Sequence, residues 1–155
     1  MVRILLGAAA AMALAACAST PKGPADLILG KWTCSATQEG MSVAATTTYD
    51  KGGTAGGVAK VSVQAPGSAI ELSGDVKSTW AINADGKLEE KVTSMTVTSA
   101  KMGGSDLAAP MIAGMVQPMV DEMVVNQTST STIAFEGNTM TTTDQDMGVV
   151  TTCTR

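Results

Sequence analysis

Residues 58 to 73 read Val58-Ala59-Lys60-Val61-Ser62-Val63-Gln64-Ala65-Pro66-Gly67-Ser68-Ala69-Ile70-Glu71-Leu72-Ser73, and the alternation in this stretch decides the fold class. Ala59, Val61, Val63 and Ala65 share one face while Lys60, Ser62 and Gln64 take the other, the period-two pattern of a half-buried strand. Pro66-Gly67 supplies a turn, after which Ile70 and Leu72 alternate with Glu71 and Ser73. The same pattern extends upstream. Residues 29 to 37 predict a first strand, Gln38-Glu39-Gly40 a turn, and 41 to 50 a second strand with Met41, Val43, Ala45, Thr47 and Tyr49 on one face. Asp50-Lys51-Gly52-Gly53 then turns into a third strand at 56 to 65.

Downstream, the run from Val76 to Ile82 puts Val76, Trp80 and Ile82 on one side, with Gly74 marking a bend or bulge. Asp85-Gly86 is a hairpin turn leading into 87 to 99, where the apolar parity switches between Val92 and Met95 and predicts another bulge. The last strands are expected at 128 to 136, 138 to 144 and 147 to 154. Roughly eight or nine antiparallel strands in so short a chain predict a mainly β domain, an up-and-down barrel whose closure removes exposed edges. A two-sheet sandwich stands beside it as the alternative.

The chain has 155 residues, 45% of them hydrophobic and 15% charged, enough apolar material for one core and too little charge for a disordered chain. A net charge of −4 with only ten Lys plus Arg leaves no basic stripe for phosphates, so no nucleic-acid partner is expected. His is absent. Its absence removes the commonest general base, the commonest zinc ligand and any Ser-His-Asp or Cys-His arrangement. No metal, cofactor or catalytic residue is expected.

Met1-Val2-Arg3 followed by the uncharged run Ile4 to Ala16 has the form of an export signal, and it falls short of the roughly 20 apolar residues of a spanning helix. The run closes with Leu14-Ala15-Ala16-Cys17, which resembles the lipobox of bacterial lipoproteins. That resemblance implies removal of signal peptide 1–16, diacylation of the Cys17 sulfur and palmitate-type acylation of its new amino terminus. Ala18, where inner-membrane lipoproteins often carry Asp, implies lipid anchoring in the outer membrane, facing the periplasm. Several acyl chains give lasting attachment where one is marginal. Residues 17–28, with Pro21, Gly23 and Pro24, read as the lipidated Cys and a flexible tether to a domain at 29–155. Only Arg3 among the bases lies in the leader, so the mature chain carries nine bases against fourteen acids, a net −5 that does not seek anionic lipid.

With Cys17 assigned to lipid, Cys34 and Cys153 remain as an even pair in an oxidising compartment, which predicts a disulfide. A redox or metal pair is the alternative, with neither Cys-x-x-Cys spacing nor His to complete it. Leu29-Gly30-Lys31-Trp32, opening the first strand, resembles the Gly-x-Trp start of lipocalins and related calycin barrels. In that family the Trp packs at the closed end beneath an Arg from near the last strand. The resemblance therefore implies a pair between Trp32 and Arg155. The second lipocalin signature, in the middle of the chain, is not found.

One segment has helical spacing. After Ser105-Asp106 as a cap, Leu107, Met111, Met115, Met119 and Met123 recur every four residues beside Ile112, Val116, Val120 and Val124. Gly114 and Pro118 are expected to kink this helix, near 106–125, or divide it. A Met row at this spacing reads as core packing, with a soft Cu(I) site as the alternative. Because aromatic residues make up only 3% of the chain, the Met-rich helix is expected to cap or partly plug an underfilled barrel.

Asp144-Gln145-Asp146 reads as a hairpin turn rather than a calcium loop. Glu89-Glu90 and Asp121-Glu122, adjacent in sequence, do not face each other as acid-base pairs. The resulting expectation is a lipid-anchored barrel that binds rather than catalyses, taking a small apolar or amphipathic ligand against Trp32, Tyr49, Trp80, Met111, Met115 and Met119. The alternatives are a protein-binding module resembling the small periplasmic protease inhibitors, and a structural envelope lipoprotein.

Overall fold

A computed structural model describes residues 22–65 and 67–155. The expected signal peptide, Cys17, the first part of the tether and Pro66 lie outside the described residues. The chain enters through a single helical turn, α1 (Pro24–Leu27), and continues into β1 (Gly30–Gln38), β2 (Met41–Asp50), β3 (Thr54–Ala65), β4 (Ser68–Ile82) and β5 (Leu88–Met102). A two-residue β6 (Ser105–Asp106) precedes a helical stretch formed by α2 (Ala109–Met111), a π-helical turn (Ile112–Val116) and α3 (Gln117–Val124). β7 (Thr128–Glu136), β8 (Thr139–Asp144) and β9 (Val150–Thr154) complete it.

All pairings are antiparallel, and they close the sheet on itself. β4 pairs with both β3 and β5, β5 with β7, and β9 with β1, so the eight longer strands run as a ring in the order β1-β2-β3-β4-β5-β7-β8-β9. This is the expected up-and-down barrel, not a sandwich. Cys34 stands directly opposite Cys153 in the β1–β9 register, and the two form a disulfide across 119 residues of sequence.

The hairpins follow their turn chemistry. Gln38 pairs with Met41 around Glu39 and Gly40, both at positive φ, as a tight turn between twisted strands requires. Gly57 answers a different need. A Cβ there would lie 1.7 Å from the Thr46 carbonyl oxygen, so only glycine lets β3 approach β2 at this point of the curved wall.

β4 runs as one continuous strand through Gly74, and the register against β5 shifts there, which agrees with the bulge expected at this glycine. Thr93 and Thr98 of β5 have no partner opposite them in β4, and each turns its hydroxyl to a β4 carbonyl, of Lys77 and Ser73 respectively. The first of these bulges produces the parity switch between Val92 and Met95.

β5 meets β7 over only Leu88 to Lys91, so its remainder would be an open edge. The following segment closes it. Asn126 N–H donates to the Val92 carbonyl and Val92 N–H to that of Gln127. The Gln117 side chain accepts from Val97 N–H at 2.8 Å and donates to the Met95 carbonyl at 2.7 Å. β6 covers Lys101 and Met102, with an ion pair between Lys101 and Asp106 at 3.6 Å. Ser105 and Asp106 therefore belong to a strand pair and not to a helix cap. The helix starts after Ala108, where Pro110 presets the first-turn backbone and needs no N–H partner.

The helix neither breaks nor splits at Gly114 and Pro118. It widens into the π turn, where Gln117 N–H bonds the Ile112 carbonyl five residues back, and then runs on from Gln117. Pro118 lacks an N–H and crowds the carbonyl four residues before it, so a local π step relieves both demands.

Two apolar clusters result. The first unites Ile28, Trp32, Tyr49, Leu88, Met140 and the disulfide. The second joins Met95, Val97 and Ala100 of β5 to Val116 and Val120 of the helix.

Candidate functional site

Trp32, fully buried, donates its indole N–H to the Ile28 carbonyl at 2.6 Å, and its ring packs at 6.1 Å from that of Phe135. The Arg155 guanidinium lies 4.4 Å from the Trp32 ring centroid and donates to the carbonyls of Leu27 and Leu29. One arginine thus holds the incoming chain and stacks on the aromatic. Residues 24 to 28 accordingly form a helical turn ending in buried Ile28, rather than loose tether.

Next to this end the barrel holds a partly open cavity of ≈ 370 Å³. β2 supplies Met41, Val43, Ala45, Thr47 and Tyr49, the face that alternation assigned to it. β1 and β9 contribute the disulfide, β5 contributes Leu88 and Glu90, and β8 with its turn contributes Met140, Asp144 and Met147. Most of the lining is apolar.

Ser and Thr side chains of β1, β2, β7, β8 and β9 are spread around it, and its two carboxylates are Glu90 of β5 and Asp144 of β8. Glu90 Oε1 accepts from Ser78 Oγ–H at 2.6 Å, and Oε2 accepts from the Tyr49 phenol at 3.3 Å. Tyr49 in turn meets Trp80 edge to face at 5.9 Å. Burial, and then the neighbouring Glu90 charge and its hydrogen bond, hold the Tyr49 phenol well above its ordinary pKa, so it remains a neutral donor. Asp144 is a turn residue whose Oδ1 accepts from the backbone N–H groups of Asp146 and Met147. The Asp144-Gln145-Asp146 segment is thus a hairpin turn, and no cluster of three metal-ligating side chains occurs among the described residues.

Of the six residues expected in the pocket, the structure places only Tyr49 on the cavity wall. Trp32 lies in the closed-end core, and Trp80, its indole N–H bonded to the Thr54 carbonyl, borders a shallow outer cleft. Met111, Met115 and Met119 line none of it. With Met123 they form an exposed stripe, 47% to 66% open to solvent, because Val116 and Val120 on the neighbouring stripe take the face against β5. The helical stretch packs on Met95, Val97 and Ala100 of β5, beside Leu72 and Val76 of β4, on the sheet face that Glu90 and Ser78 share, and adds no side chain to the cavity. The Met row is therefore not core, and no methionine of the helix fills the cavity.

Glu90 was legible by a signal that pairwise inspection of Glu89-Glu90 passes over. Leu88, Glu90 and Val92 share one strand parity, so a carboxylate sits between two inward-facing apolar residues. Glu89 points away and accepts from the Asn83 side chain at 2.8 Å. A second hollow of ≈ 560 Å³, which shares Ser35, Ala36 and Val43 with the first, is lined by Val61 and Leu72, by Ser side chains and by Lys60, Glu71 and Lys101. No model of a known protein family matches the chain, and no curated protein matches it.

Proposed function

We propose that the protein is a lipid-anchored envelope protein whose barrel binds a small apolar or amphipathic molecule and performs no catalysis. The observation that carries this reading is the cavity: its ≈ 370 Å³ falls within the roughly 300–1,000 Å³ of small-molecule sites, and a mainly apolar lining with a few polar groups is the chemistry of such sites. The anchor rests on the sequence Leu14-Ala15-Ala16-Cys17, with the export run before it. Outer-membrane attachment on the periplasmic side follows from Ala18, by resemblance to sorted bacterial lipoproteins. Likeness to the lipocalins rests on Gly30-Lys31-Trp32, on Arg155 over Trp32, and on the closed barrel.

Native mass spectrometry of the mature protein tests the pocket, with an added mass from a copurifying molecule expected and a clean apo mass after exposure to envelope lipid extract counting against it. For the anchor, metabolic labelling with an alkyne fatty acid is expected to mark the wild type and not Cys17→Ser. A second reading, a module that binds another protein, for instance a protease inhibitor, draws on the exposed stripe of Met111, Met115, Met119 and Met123. A pull-down from envelope extract that survives Glu90→Gln and is lost on replacing these methionines by Gln would favour it.

A further inference from the structure

On the premise that the cavity is a binding site, we infer that its ligand is an aliphatic amine, with the cationic head at Glu90 and the hydrocarbon along Met41, Val43, Met140 and Met147. Two carboxylates line the cavity, and among the described residues no Lys or Arg does. The ion pair found among the described residues joins Lys101 to Asp106, well away from Glu90 in the sheet. Lys91, next in sequence to Glu90, is exposed on the opposite strand face, paired with Thr79 and Thr128; Glu90 and Lys91 both border the cleft beside Trp80, and they form no ion pair.

Glu90 is held by hydroxyl donors alone. A carboxylate offers about four lone-pair directions, and Ser78 and Tyr49 use two of them. The remaining two are free to accept from an ammonium, whose charge would offset the cost of keeping a carboxylate against apolar walls. Tyr49 strengthens the case, because it lines the cavity as a neutral phenol whose ring can also face a cation. A fatty acid meets the reverse situation: its carboxylate would lie near Glu90 and Asp144 with no Lys or Arg on the lining to receive it, Lys60 and Lys101 bordering the neighbouring hollow instead.

The test compares octylamine, 1-octanol and octanoate by isothermal titration calorimetry. The three share one chain and differ in head group. The complete mature chain is used with Cys17→Ser, so that its own acyl groups do not compete. Octylamine is expected to bind about tenfold or more tighter than octanol, the range of a charge-assisted hydrogen bond, and octanoate weakest. Glu90→Gln, with circular dichroism verifying the fold, should bring octylamine to the affinity of octanol and leave octanol unchanged. Equal affinity for all three in the native chain, or a preference for octanoate, overturns the amine assignment and leaves the pocket standing. No binding by any of them overturns both. Because the head-group order is read on native Glu90, the result does not depend on the variant folding.

Discussion

The two apolar clusters of this protein use the same side-chain types and treat them differently. At the closed end Met140 is fully buried beside Trp32, Ile28 and the disulfide, and strands from both ends of the chain enclose it. Along β5, four methionines of the helical stretch face solvent, and only its valine stripe packs against the sheet. Ring closure surrounds a side chain on every side, whereas a helix laid on one sheet face buries one stripe and leaves its neighbour open. The closed end should therefore unfold only with the whole molecule, and the helical stretch should open on its own at lower free energy.

The largest effect that would sharpen this contrast is alkaline unfolding. Tyr49 holds its proton more tightly in the folded protein than in the unfolded chain, so its contribution is fully present below the ordinary phenol pKa near 10 and is lost as pH rises above it. It is the only tyrosine, which makes its ionisation directly visible. Tyrosinate absorbance should appear together with the loss of the β-sheet dichroism. Ionisation at the ordinary phenol pKa with the sheet intact would remove Tyr49 from the tight region.

Next in size, replacing Cys34 and Cys153 together by Ser should cost about 4 kcal/mol, because the bridge closes a loop of 119 residues in the unfolded chain. A lower urea midpoint would show it. Trp32→Ala should cost a comparable amount, about 4 kcal/mol, and should lower protection from hydrogen exchange across all strands.

Val120→Ala makes the matching cut in the second cluster. It should cost about 2 kcal/mol, with lost protection confined to residues 107 to 125 and the edge of β5. Uniform loss across the barrel would erase the distinction between the two regions. Smallest of all, Met115→Gln should change stability by less than about 0.5 kcal/mol, because the side chain is 63% exposed. A large loss there would mean that the methionine stripe is covered.

Much of the wall was legible. Alternation located every long strand of the ring, turn residues located most hairpins, and the parity switch at Val92 and Met95 located a bulge that the structure places at Thr93. The methionine stripe misled for a physical reason: a wide apolar band at 3.6-residue spacing does not say which part of it meets the sheet. That choice fell to the valines, whose compact side chains let Gln117 reach the β5 backbone.

What the sequence by itself determined is local. It set the strand and turn pattern, the helical segment and the cysteine pair, because each depends on neighbours a few residues away or on simple counting. The tertiary structure alone decided that β4 runs unbroken past Gly74 and that Gln117 seals the edge of β5. It alone brought Glu90 and Tyr49 together on a cavity, with Ser78 of a third strand bonded to Glu90. Those outcomes depend on register and ring closure, which join residues 12 to 41 positions apart in this cluster and carry no mark in either neighbourhood.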